Sequence, residues 1–172
     1  TVQLCLAAFM VNGWTLLTDV ERKKCKDVFA EAFTDKRPEI QKLACLGLVG
    51  YLSNKTTTEL KTFSEAFVRN SDKYVVIEWR KRQEAKNTDL QKAKEDVDPK
   101  FLSTVMMMSC IVLAFPYDLP VFMPALVSSL VQHMASPAVK DTISRTVLEF
   151  KRTHQDRWEE FKVLFTQDQL DS

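Results

Sequence analysis

Residues 101–120 read FLSTVMMMSCIVLAFPYDLP, and the reading of this run decides the fold. Almost every residue from Val105 to Phe115 is apolar, and no charge stands between Lys100 and Asp118. A helix without a polar face either spans a membrane or is buried on all sides. A span needs roughly 20 apolar residues, and Pro116 stops this run at roughly 15. The reading is therefore a buried core helix. Asp98 serves as its N-cap, Pro99 sits at the first helical position, and the break falls at Phe115-Pro116.

Working outward, the composition agrees with an all-α chain. Only 3 of the 172 residues are glycine, while Leu, Ala, Lys and Glu abound. That length buries a good core as one unit. The 24 basic and 23 acidic residues nearly cancel, so no net field favours nucleic acid. The chain opens at Thr1 with no initiator Met and no leader, as an excised domain would.

Upstream of the central run, residues 2–17 form an apolar helix weakened near Asn12-Gly13. Thr18 and Glu21 make a capping box for the next helix. Its inward face is Cys25, Val28, Phe29, Ala32 and Phe33. Pro38 starts an inner helix that is apolar on nearly all sides after Lys42 and contains Gly47 and Gly50. Each glycine costs roughly 1 kcal/mol against alanine, which points to close approach of a neighbouring helix. Thr56 and Glu59 open another helix, whose buried stripe is Leu60, Phe63, Ser64 and Phe67. Residues 71–99 turn highly charged with both signs and read as a solvated linker or exposed helix. Within them, Arg80-Lys81-Arg82 reads as a solvated basic turn or a fragment of a nuclear-localisation signal.

Downstream, Leu119, Phe122, Met123, Leu126, Val127, Leu130, Val131 and Met134 form an amphipathic stripe that leaves His133 on its polar side. Ser136-Pro137 starts a helix with Val139, Ile143, Val147 and Phe150 inward. Asp156 is placed to cap a further helix bearing Trp158, Phe161 and Phe165, and Thr166 with Gln169 makes a last capping box. There is also a faint internal repeat. Pro38, Ile40, Ala44, Leu48 and Tyr51 match Pro137, Val139, Ile143, Val147 and Phe150 at a constant offset. Helix pairs repeated in this way are the pattern of HEAT/ARM-type solenoids. Three segments result: helices over 1–70, a charged linker or insert over 71–99, and further helices over 100–172.

Chemistry is scarce. No glycine-rich phosphate loop, GxSxG or HExxH occurs, and no catalytic residues, metal or cofactor are expected. The cysteines Cys5, Cys25, Cys45 and Cys110 lie far apart in apolar helical patterns. They read as reduced core thiols of a cytosolic or nuclear protein. The one candidate site is Asn54, at the end of the inner helix. Its amide either caps its own helix or points into a cavity and donates to a carbonyl oxygen. In the second case Tyr51, one turn earlier, supplies an aromatic wall, and an amide ligand such as acetyl-lysine fits.

The runs FPYDLP at 115–120, MPALVSSL at 123–130, FKRTHQDRW at 150–158 and FTQDQL at 165–170 resemble the C-terminal end of the large HEAT-repeat proteasome activator family. Residues 20–52 are similar in pattern to that family's late repeats. The resemblance implies a non-enzymatic, nuclear and cytoplasmic protein whose solenoid caps the 20S proteasome. It also implies a bromodomain-like bundle over 1–70 that recognises acetylated histone tails, with no nucleic-acid or membrane partner. The family's binding Asn falls on Asn54, and Lys55 stands where the family carries an aromatic. Tyr51, Asn54 and Lys55 are thus the candidate acetyl-lysine-binding residues. The chain stops at Leu170-Asp171-Ser172, without the family's proteasome-docking tail, so gate opening by this stretch alone is not expected.

Overall fold

The computed structural model describes residues 12–35, 37–84 and 98–170. The helix read over 2–17 lies largely outside them; a 3-10 turn, Trp14–Leu16, is its described end. Six longer helices follow: α1 (Asp19–Ala32), α2 (Pro38–Leu52), α3 (Thr57–Glu84), α4 (Pro99–Leu113), α5 (Met123–Val131) and α6 (Lys140–His154). Two short ones, α7 (Trp158–Phe161) and α8 (Gln167–Leu170), close the described chain. Among the described residues there is no strand, and the fold is all-α.

Local chemistry sets most of the helix starts. Thr18 and Glu21 form the reciprocal capping box of α1. Pro38 opens α2, where its missing N–H costs nothing. The Asp98 carboxylate accepts from the Lys100 N–H at 2.8 Å and opens α4. Thr166 and Gln169 cap α8 in the same reciprocal way. Asp156 does not cap α7; it lies in a 3-10 turn, and Arg157 occupies the cap position without a side-chain bond.

The central run is the hub of the molecule. α4 packs against α1, α2, α3, α5 and α6, so its middle turns are covered on every side. Phe101 and the unbroken series Thr104–Val112 are buried. That arrangement is why its sequence shows no polar side. No described helix is long and apolar enough to cross a membrane. α2 and α6, which carry the two halves of the faint repeat, both pack on α4. Ala44 and Leu48 on one, and Ile143 and Phe150 on the other, are buried.

Two features depart from the sequence reading. The boundary at residue 71 falls inside α3, which continues to Glu84. Ser71 is fully buried, and its hydroxyl lies 2.7 Å from that of Ser129 on α5. Tyr74 tilts against Phe101 at 5.2 Å between centroids. The first turn of the charged segment therefore belongs to the core, while residues 85–97 lie outside the described residues. The second departure is His133, which is buried with its ring edge-on to Phe101. α5 ends at Val131, and the His133 N–H then bonds back to Leu130. That tighter turn shifts the side chain off the polar face a continued helix would give it.

Candidate functional site

The candidate residues sit where α2 hands over to α3. The last carbonyls of any helix lack intrahelical donors. Here the Ser53 hydroxyl donates to Val49 O, and the Asn54 side-chain amide donates to Gly50 O, each at 2.8 Å. The Lys55 N–H then reaches Leu52 O at 2.9 Å. Asn54 thus turns back onto its own helix. Of the two geometries open to it from sequence, this is the cap.

Tyr51 and Lys55 meet on the other side of the turn. The Lys55 ammonium lies 5.3 Å from the Tyr51 ring centroid and donates to Glu59 Oε1 at 3.1 Å. The hydrogen bond to Glu59 raises the Lys55 pKa above its ordinary value. Together with Leu52, Leu60 and Phe63, these residues line a hollow of about 160 Å³. Asn54 does not line it. The structure brings Tyr51 and Lys55 together, and directs the amide elsewhere. The hollow is also small beside the roughly 300–1,000 Å³ of ordinary ligand clefts.

Glu59 is held in place by Thr56. Its Oε2 accepts from the Thr56 N–H at 3.0 Å and from the Thr56 hydroxyl at 2.8 Å. The backbone bond, then the hydroxyl and the Lys55 ammonium, lower the Glu59 pKa from 4.5 to about 2. A depressed folded-state value stabilises the fold fully above the unfolded value. The capping box therefore contributes fully above pH 4.5 and is lost as pH falls towards 2. Urea unfolding followed from neutral pH downward should show a shallower loss of stability over that window in Glu59→Gln than in the wild-type chain. Parallel curves would remove Glu59 from the acid response.

A larger trough, about 380 Å³, went unnoticed in the sequence. It runs between α3 and the start of α5, bordered by Lys61, Glu65, Arg69, Val121 and Phe122. No pattern marks it, because its walls come from two helices far apart in the chain. Among the described residues no cluster of His, Cys, Asp and Glu is arranged to hold a metal.

A second polar device centres on the end of α6. His154, the last residue of α6, is buried. Its Nδ1 is 2.9 Å from Phe150 O and its Nε2 is 3.2 Å from Asp118 O. The ring also packs on Phe150 at 4.4 Å and edge-on to Phe161 at 5.5 Å. This one side chain joins FPYDLP to FKRTHQDRW, two of the runs that carry the family resemblance.

Residues 99–172, which contain both runs, match the family described as proteasome activator complex subunit 4-like, C-terminal. Over this region the chain is similar to the C-terminal part of the proteasome activator subunit 4 family. Relatives named proteasome activator complex subunit 4, from Xenopus laevis and Homo sapiens, are each 42% identical over 67 residues. Those matches cover 38% of this chain and 4% of the relatives. Proteasome activator subunit 4 of Arabidopsis thaliana is 25% identical over 174 residues, covering 96% of this chain and 9% of that protein. The chain thus spans less than a tenth of the length of these activators. The His154 bridge falls inside the family match, whereas Tyr51, Asn54 and Lys55 lie before it.

Proposed function

We propose that this chain is a packing segment in the C-terminal region of a proteasome activator, and that it acts through the whole protein on the 20S proteasome. The observation that carries this reading is the coincidence of the family match with the α4–α6 core, sealed by the His154 bridge. Such a segment works by holding a HEAT-type array of helices together, in a protein of the nucleus and cytoplasm. Its role is regulatory, and the peptide-bond chemistry belongs to the proteasome.

Recognition of acetyl-lysine, as on acetylated histone tails, by a bromodomain-like bundle is the finer alternative. It requires a side-chain amide facing a cavity. Against it stand the Asn54 bond to Gly50 O and the small volume of the hollow that Lys55 and Glu59 line. The intact activator carrying this sequence is expected to bind purified 20S particles on native gels and to raise fluorogenic peptide cleavage. An activator that neither binds the particle nor raises cleavage would overturn the proposal. Titration with acetylated and unmodified histone-tail peptides should show no preference. Selective binding of the acetylated peptide, lost in Asn54→Ala, would replace the packing reading with the reader.

A further inference from the structure

Cys45 and Cys110 are 65 positions apart in sequence and adjacent in space. Cys45 is on α2 and Cys110 on α4, and their Sγ atoms lie 3.0 Å apart. The Cys110 thiol also points at Cys45 O, 3.8 Å away. An S–S bond measures about 2.05 Å, so about 1 Å of approach separates two free thiols from a covalent link. The two sulfurs are not equivalent. Cys110 is completely buried, while Cys45 is only partly so. We propose that Cys45 and Cys110 form a thiol modification site, at which a hydroperoxide oxidises Cys45 and Cys110 resolves it into an intramolecular disulfide.

The electron count closes with the peroxide as the two-electron oxidant. The Cys45 thiolate attacks one peroxide oxygen, the O–O bond breaks, and Cys45 becomes a sulfenic acid as hydroxide leaves. The Cys110 sulfur then attacks the Cys45 sulfur. The S–O bond breaks, the Cys110 proton goes to the leaving oxygen, and water is released. The roles follow from access and acidity. The S–H bond donated by Cys110 holds the Cys45 thiol below its ordinary pKa, and burial pushes the Cys110 thiol up. Cys25 makes a useful internal comparison, since burial, assisted by the Glu21 charge, raises its pKa and no described thiol faces it.

The link would tie α2 covalently to the hub helix α4. It would join the part of the chain before the family match to the part inside it.

The test exposes the intact chain to graded hydrogen peroxide. Remaining thiols are then alkylated, and a non-reducing tryptic digest is read by mass spectrometry. The expected product is peptide 43–55 joined to peptide 101–140 with two hydrogens lost, appearing at doses that leave Cys25 alkylatable. In Cys110→Ser the cross-link should vanish and dimedone should trap a sulfenic acid on Cys45. Oxidation of Cys25 before any 43–55/101–140 product forms would overturn the proposal. So would a Cys45 that stays alkylatable throughout. The wild-type digest decides the matter even where the serine variant fails to fold.

Discussion

Gly47→Ala should destabilise the chain by about 1–2 kcal/mol, although alanine is the better helix former. A Cβ built on Gly47 would lie 2.3 Å from Phe29 Cζ and 2.6 Å from both Cε atoms. The α1 ring therefore meets the α2 backbone end-on. Cζ lies on the axis about which the ring flips, so rotation about χ2 cannot move it away. Relief needs a change of χ1 or a shift of α1 against α2. Phe29 has no exposed surface, and Phe33 and Ala32 are buried beside it. A well-packed core resists both movements. Overpacking of this kind costs about 1–3 kcal/mol, and the helix-propensity gain of about 1 kcal/mol offsets part of it. Urea denaturation would measure the net loss. A Phe29→Leu change in the same chain should recover part of it, because the shorter side chain clears the new methyl. Additive losses in the double variant, or a Gly47→Ala chain as stable as wild type, would show that α1 and α2 do not meet at this point.

Gly47 also marks the boundary of what the sequence could disclose. Its spacing on an apolar helix signals close approach, but nothing local says that the visitor is Phe29. The same division runs through the molecule. Capping boxes at Thr18, Thr56 and Thr166 are legible because both partners lie within three residues. The hub helix is legible because burial on nearly every side removes every charge from one continuous run. Pairings between helices are not legible. Ser71 with Ser129, and Cys45 with Cys110, depend on which helices neighbour α3 and α4. The periodic stripe does not place His133, because the helix ends at Val131. At the candidate site, the sequence placed Asn54 at a helix end and left its two geometries open. A side-chain bond four residues back is available to any such Asn, and here the cap is the geometry formed.

His154 carries the other large effect. His154→Phe should lower stability by about 1 kcal/mol, and His154→Ala by about 3–4 kcal/mol. The two variants separate two contributions. Phenylalanine keeps a ring against Phe150 and Phe161 but places no ring nitrogen beside Asp118 O or Phe150 O. Its loss therefore reports the polar bridge. That loss is modest, because Asp118 is exposed and Phe150 O keeps the Thr153 hydroxyl as a donor. Alanine removes the ring as well and leaves a cavity beneath the 115–120 corner. The neighbouring Thr153 hydroxyl already donates to Glu149 O and Phe150 O within its own helix, so it does not reach across to Asp118. Thermal or urea unfolding should rank the chains wild type, His154→Phe, His154→Ala. The corner should also loosen, with amide exchange rising around Tyr117–Val121 in both variants. A His154→Phe chain as stable and as protected as wild type would mean that the ring serves only as packing. The join between FPYDLP and FKRTHQDRW would then rest on apolar contact alone.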